Sequence, residues 1–395
     1  MKNKETMPFI EQLLNGENVE WRKLGEVCKR TKGTKITAKE MNNIHKEDGT
    51  IKIFAGGKTY AYVNVEDIPN QDICHIPSII VKSRGIIGFE YYDKPFSHKS
   101  EMWAYHSDNL SADIKFIYYY LVNHEYYFQR LGSKMQMPQI SIPDTDRFLI
   151  PLPPLSVQHK IVEILDRFTA LEAELEAELD CRKRQYEYYR NQLLSFDMLN
   201  KGGQKLNDVK IMTLGEIAKY SSTRIKSSCL CETSFVGVDN LLQDRKGKTI
   251  STHVPTEGTF AEYQVGDILI GNIRPYLKKI WYADNSGGAS GDVLVIHLTN
   301  EQIMSRYLYQ VLADDKFFSY NMQHAKGAKM PRGNKQKIME YKIPLPPLSV
   351  QREIVEILDK FDTLCNSISE GLPKEIELRR KQYEYYRNQL LTFAQ

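Results

Sequence analysis

The chain has 395 residues, 42% of them apolar and 26% charged, and its 53 basic and 50 acidic residues leave a net charge of +3. That length suits two or three domains with real cores. A balance so near zero does not by itself announce nucleic-acid binding. No apolar run approaches the roughly 20 residues of a membrane span, and the start, Met1 to Pro8, holds no apolar signal core. The six cysteines, at 28, 74, 181, 229, 231 and 365, lie at irregular spacings and read as reduced thiols. The cytoplasm is the expected compartment.

Residues 1–20 read as an N-terminal arm and 21–149 as a first globular domain of mixed α/β character. Strand patterns cut by glycine turns run through Thr50–Gly57, Ser78–Gly85 and Gly85–Tyr92. Asp113–Asn123 suggests a helix. A third region, 150–208, opens on Ile150-Pro-Leu-Pro-Pro-Leu-Ser156, where three prolines bar a helix and Ser156 stands at the N-cap position. Apolar positions then follow on one helical stripe, from Ile161 and Leu165 through Phe168, Leu171, Leu175 and Leu179 to Tyr186, Tyr189 and Leu193. Unbroken from Ser156 to Phe196, that helix is about 60 Å long. Its centre, Leu171-Glu-Ala-Glu-Leu175-Glu-Ala-Glu-Leu179, is a tandem tetrad.

Residues 209–342 read as a second mixed domain, with strands near Phe235–Val238, Asp267–Arg274 and Asp292–Leu298 and a helix near Glu301–Ala313. The last region, 343–395, repeats the third. Ile150–Phe168 returns as Ile343–Phe361 at sixteen of nineteen positions, and Arg182–Phe196 returns as Arg379–Phe393 at twelve of fifteen. Four extra residues separate the two blocks in the second copy. There Pro373 predicts a kink or break, with a new helix from about Lys374. The domain starts echo as well: Val19-Glu-Trp-Arg-Lys-Leu-Gly-Glu-Val27 against Val209-Lys-Ile-Met-Thr-Leu-Gly-Glu-Ile217. Duplication and fusion of this kind imply approximate two-fold symmetry within one chain. The expected architecture is α+β, with two mixed α/β globular domains joined by two long antiparallel, coiled-coil-like helices whose length sets the distance between the domains.

Catalytic signatures are missing. There is no Asn/Asp-Pro-Pro-aromatic motif to hold an extruded adenine. Gly57-Lys58-Thr59 and Gly247-Lys248-Thr249 lack the first glycine of a phosphate loop, with Lys52 and Leu242 in its place. No His-Glu-x-x-His is present and no metal site is expected. Recognition is better supplied. Arg274, Tyr276, Lys278 and Lys279 follow a strand pattern that ends near Asn272. Lys326, Lys329, Arg332, Asn334 and Lys335 lie in a basic loop. Its counterpart, Gly132–Ser141, trades charge for amides and hydroxyls, with Lys134, Gln136 and Gln139. Arginine and lysine suit phosphates or the guanine edge, and amides suit adenine. Lys58, Ser83 and Arg84, at glycine turns of the first domain, complete the candidate DNA contacts. Tyr186, Tyr189 and Arg190, with their copies Tyr383, Tyr386 and Arg387, read as packing at the helix junction, a docking surface for two identical partners, or both.

These features resemble the specificity subunit of Type I restriction–modification enzymes over essentially the whole chain. The carriers are Pro-Leu-Pro-Pro-Leu-Ser-Val-Gln at 151–158 and 344–351, the Gln-Tyr-Glu-Tyr-Tyr-Arg blocks, and the Leu-Glu-Ala-Glu tetrads. The resemblance implies two target-recognition domains, each reading one half of a split double-stranded DNA site. It also implies helices that act as a ruler and bind two methyltransferase subunits, and separate restriction or motor subunits. S-adenosylmethionine, ATP and Mg²⁺ would then sit on other subunits and none on this chain. The alternative reading is a helical scaffold for protein partners alone.

Overall fold

The computed structural model describes residues 9–57, 59–133, 137–195, 209–367 and 369–394. The chain forms two compact units, residues 1–174 with 376–395, and residues 175–375. Each unit therefore combines one mixed domain with parts of both helical repeats.

In the first unit, strand Glu20–Lys23 pairs antiparallel with Leu149–Leu152, placing Trp21 opposite Pro151. In the second, Lys210–Thr213 pairs with Lys342–Leu345, placing Ile211 opposite Pro344. The echo at the domain starts and the Pro-rich junction are thus the two sides of one clasp that closes each domain. Proline is tolerated there because a two-stranded ribbon has only one ladder to satisfy. Above the clasp, the first unit builds an antiparallel sheet in the order Lys29–Arg30, Trp103–His106, Ser78–Lys82, Gly88–Tyr92. The second repeats that order with Ala218–Tyr220, Val293–Leu298, Ile268–Gly271 and Ile280–Tyr282. A second sheet accompanies each: three strands in the first unit, four in the second. Helix Ile114–Asn123, capped by the Asp113 carboxylate, covers the first main sheet, and Ser305–Leu312 takes the same place in the second.

The long helix runs Leu155–Leu193 without a break. Ser156 is not its cap. The helix opens one residue earlier, and the Val157 and Gln158 amides both donate to the Pro154 carbonyl, at 2.8 and 3.1 Å. The second repeat is two helices, Leu348–Asn366 and Gly371–Leu391. The break falls before Gly371 rather than at Lys374, because Pro373 fits the first turn, where its missing donor costs nothing. Gly371, at φ +77°, passes so close to the end of the preceding helix that a Cβ would lie 2.5 Å from the Thr363 carbonyl.

Within the first unit, the start of the long helix packs antiparallel against the last helix. Phe168 stacks on Tyr386 at 5.5 Å and meets Tyr383 at 6.2 Å, and one turn on Glu172 pairs with Arg380. Within the second, Phe361 meets Tyr186 and Tyr189 at 6.0 and 5.6 Å. Phe168 and Phe361 are repeat equivalents, as are the tyrosine pairs. The same junction is built twice, each time from the first block of one repeat and the second block of the other. The stretch 9–14 of the supposed arm is a helix whose Ile10 is 3% exposed in the first core.

A buried glutamine explains why the repeat is kept so closely. Gln158 donates to the Pro153 and Ser111 carbonyls at 2.7 and 2.8 Å and accepts from the Asp113 amide at 2.9 Å. Gln351 does the same with Pro346, Gln302 and Met304 at 2.8, 2.9 and 2.8 Å. Both are fully buried. Each ties the helix to the loop that starts the covering helix of its domain, and no other side chain offers two donors and an acceptor in that geometry.

Candidate nucleic-acid interface

The candidate loops converge in each unit by the same backbone bonds. In the first, the Gly85 amide donates to the Pro138 carbonyl at 2.9 Å and the Ile140 amide to the Ser83 carbonyl at 3.0 Å, with Arg84 and Gln139 opposite each other in an antiparallel bridge. In the second, the Arg274 amide donates to Pro331 at 2.7 Å and the Gly333 amide to Asn272 at 3.1 Å, with Ile273 opposite Arg332. Gly85 and Arg274 are thus equivalent, and both take positive φ, +75° and +52°. Glycine adopts that conformation freely. For arginine it costs about 1–2 kcal/mol, a strain of the kind found at functional positions. The basic loop closes through paired amide–carbonyl bonds between Lys326 and Arg332, both 2.9 Å, and its counterpart through the Gln139 amide on Gly132 at 3.2 Å.

Beside each bridge lies an open concavity of similar size, about 440 Å³ in the first unit and 460 Å³ in the second. Gly57, Arg84, Glu101 and Met137 line one; Gly237, Arg274, Asp292 and Met330 line the other. Glu101 and Asp292 are strand equivalents, each just before the sheet's second strand. Burial works against the Glu101 carboxylate, but the Lys99 ammonium at 2.6 Å and the charge of Arg84 hold its pKa below the ordinary value. Asp292 lies 3.3 Å from Arg332 Nε and braces that guanidinium from below.

Several candidates are not displayed. Ser83 and Asn272 are 4% and 5% exposed, and their carbonyls accept the backbone bonds that close the bridge. Lys279 is 9% exposed; burial lowers its pKa, and its ammonium donates to the Val238 carbonyl at 2.5 Å. Lys278 is paired with Asp315 at 2.8 Å. Asn334 spends its side-chain oxygen capping helix Lys335–Met339, accepting from the Gln336 and Lys337 amides, so the basic segment is part helix and not wholly a loop. Lys58, Lys134 and Gln136 lie outside the described residues. Arg84 and Gln139 in the first unit, and Arg274, Tyr276, Lys326, Lys329, Arg332 and Lys335 in the second, are exposed. The sequence reading missed Met137 and Met330, exposed at 66% and 53% on the two loops. The shared Met-Pro step before Gln139 and Arg332 was the signal.

In the tyrosine blocks the contacts show the packing reading. Arg190 is 2% exposed, donating to the Tyr186 hydroxyl and to both the side chain and the carbonyl of Gln310. Tyr186 is 8% exposed. Tyr383 and Tyr386 pack on Phe168, and Arg387 donates to Asn123 Oδ1 at 3.1 Å. These are junction residues. The outward-facing pair is Tyr188 and Tyr385, at 61% and 60%, with Tyr189 at 44%.

Among the described residues no group of His, Cys, Asp and Glu is placed to hold a metal ion, and no helix is long and apolar enough to cross a membrane. A family model described as Type I restriction modification DNA specificity domain matches residues 16–180 and again 207–378. The chain belongs to that family. A Type I restriction enzyme specificity subunit of Escherichia coli is 32% identical over 98% of this chain and 97% of its own length. A putative Type I specificity subunit of Haemophilus influenzae is 29% identical over the full length of both. In fold, a crystal structure of a Type I restriction–modification S subunit from M. genitalium matches with a TM-score of 0.62 at 19% identity, covering 96% of this chain and 98% of that one. The chain is therefore a specificity subunit with two target-recognition domains, the non-catalytic DNA-recognition component of a Type I system. A scaffold for protein partners alone is set aside.

Proposed function

We propose that this specificity subunit reads a split, asymmetric double-stranded DNA site, one half with residues 21–149 and the other with residues 209–342. One observation carries the reading: the same bridged loop beside the same concavity occurs once in each unit, bearing different side chains. Equal frames with unequal chemistry suit two half-sites of unequal sequence. The helical repeats, 150–208 and 343–395, dock two methyltransferase subunits, and Tyr188 and Tyr385 replace the buried Tyr186 and Arg190 as the docking residues. S-adenosylmethionine, ATP and Mg²⁺ act on those subunits and on motor subunits, in the cytoplasm.

The test takes the full chain in its assembled complex and selects duplexes from a randomised pool. Two short conserved blocks separated by indifferent bases are expected, and scrambling either block should weaken binding sharply. Enrichment of a single continuous block, or of none, defeats the proposal. Tyr188→Ala with Tyr385→Ala should loosen methyltransferase co-assembly, read as the stoichiometry of the purified complex.

A further inference from the structure

The duplicated chain supplies its own alignment at the bridge. Met137-Pro138 and Met330-Pro331 are kept, and each proline carbonyl takes the same backbone bond. The residue that follows is Gln139 in one unit and Arg332 in the other, at the same place in the bridge and exposed in both. Across the bridge the equivalents are Arg84 and Ile273, of which only Arg84 is exposed. The position of Gln139 and Arg332 is thus the bridge position displayed in both units, and it changes between an amide and a guanidinium.

We infer that Gln139 and Arg332 are equivalent specificity-determining residues, Gln139 selecting an adenine in one half-site and Arg332 a guanine in the other. The inference rests on the bipartite reading above. An amide matches the N6 and N7 edge of adenine, and a guanidinium fork matches O6 and N7 of guanine. A phosphate clamp would call for a cation at both positions, and Gln139 is neutral. Lys326 and Lys329, exposed on the same loop as Arg332, are the phosphate-type charges. Asp292 contacts Arg332 through Nε at 3.3 Å and Nη2 at 3.5 Å. Such bracing fixes the plane of the fork before DNA arrives, which a phosphate contact does not need.

The experiment compares wild type, R332Q, R332K and Q139R in the same randomised-duplex selection, with the full chain in its complex. R332Q should lose roughly 10- to 100-fold preference for one guanine in one half-site and gain adenine there, with the other half-site unchanged. Q139R should make the reverse change in the other half-site. R332K keeps the charge without the fork, so guanine preference should fall with no gain of adenine. If wild type selects a bipartite site but R332Q and Q139R keep every preference, the inference is wrong. It is equally wrong if they weaken all sequences by one common factor. Should R332Q fail to assemble, Q139R, an exposed substitution in the other unit, decides alone. If wild type selects no bipartite site, it is the functional reading that fails instead.

Discussion

The two recognition domains differ where they meet solvent and agree where they meet the helices. Each has the same clasp, the same strand order in its main sheet, and the same buried glutamine. The second sheet has three strands in one and four in the other, and the displayed loops exchange amide for charge. Packing holds the helical base constant, because each domain closes on it through the same clasp and the same glutamine. Nothing at the loops imposes such agreement except the ligand of each.

The comparison breaks most visibly at the arginines of the tyrosine blocks. Arg190 is buried, with one hydrogen bond to Tyr186 on its own helix, two to Gln310 of its unit's globular domain, and Asp314 3.8 Å away. Its equivalent, Arg387, is half-buried, with Asn123 in the position of Asp314 and the Tyr383 ring beneath it at 5.4 Å. Arg190→Ala takes the donor from the Gln310 side-chain oxygen and the facing guanidinium from buried Asp314, and should cost about 3–5 kcal/mol in the second unit. Arg387→Ala should cost about 1 kcal/mol in the first. Amide hydrogen exchange, read separately for peptides of each unit, gives both values. Equal losses would refute the asymmetry.

The glutamine clamps should show the opposite pattern. Gln158→Leu and Gln351→Leu each strand two carbonyls and an amide, at about 2–4 kcal/mol. The two costs should agree within about 1 kcal/mol, each confined to its own unit in the same exchange measurement. A twofold disparity would mean that the identical bonds sit in unequal surroundings.

How much of this was legible in sequence follows from what repetition encodes. The duplication gave the helices and the family, since sixteen of nineteen identical positions leave little freedom. The strands at Ile51–Phe54, Ser78–Lys82 and Val293–Leu298 follow from their apolar runs. The clasp was hidden because Ile-Pro-Leu-Pro carries the signature of a helix stop, and its partner lies well over a hundred residues upstream in each copy. Nothing local marks Gln158 as buried, because its burial is set by backbone from a distant loop. Charge misled at Lys279 for a related reason. It stands with Arg274 and Lys278 in what reads as one displayed cationic run, but it directly precedes the strand Ile280–Tyr282 and the fold turns it inward onto the Val238 carbonyl. The exposed loop residues carried no periodicity at all; the shared Met-Pro step pairs Gln139 with Arg332 in sequence, and the bond-by-bond match of the two units shows that both stand at the bridge.

The cationic stretch from Arg274 to Lys279 gives a smaller effect that separates display from charge count. Arg274→Gly installs the residue found at the equivalent Gly85 and relieves the positive φ. DNA affinity should fall, the slope of log affinity against log salt should flatten by about one, and stability should hold or rise by roughly 0.5–1 kcal/mol. Lys279→Ala should leave the slope unchanged and lower stability, since its ammonium is spent inside the domain. Salt titrations of DNA binding beside thermal unfolding separate the two. A flattened slope for Lys279→Ala would return that residue to the interface.

The smallest effect concerns the surface of the second unit. Cys231 is exposed, and hydrogen bonds from Ser234 and Thr233 lower its thiol pKa from about 9 to about 6. Its Sγ lies 3.1 Å from Thr233 Oγ1 and 3.4 Å from Ser234 Oγ. The lowered value means that the thiolate is present above about pH 6 and is lost as pH falls through it. Alkylation of Cys231 should therefore rise from pH 5 and level off by about pH 7, where an ordinary cysteine is still accelerating. Thr233→Val with Ser234→Ala removes the two hydroxyl bonds and leaves the backbone ones, so the pKa should rise part of the way back toward the ordinary value. The thiolate fraction at pH 7 then falls, but the more basic sulfur is intrinsically the better nucleophile. The net rate at pH 7 should therefore fall by less than the thiolate fraction does, while the midpoint of the pH profile moves upward. Mass-resolved labelling of the Cys231 peptide reads both, and an unmoved midpoint would show that the hydroxyls do not set this thiol's acidity.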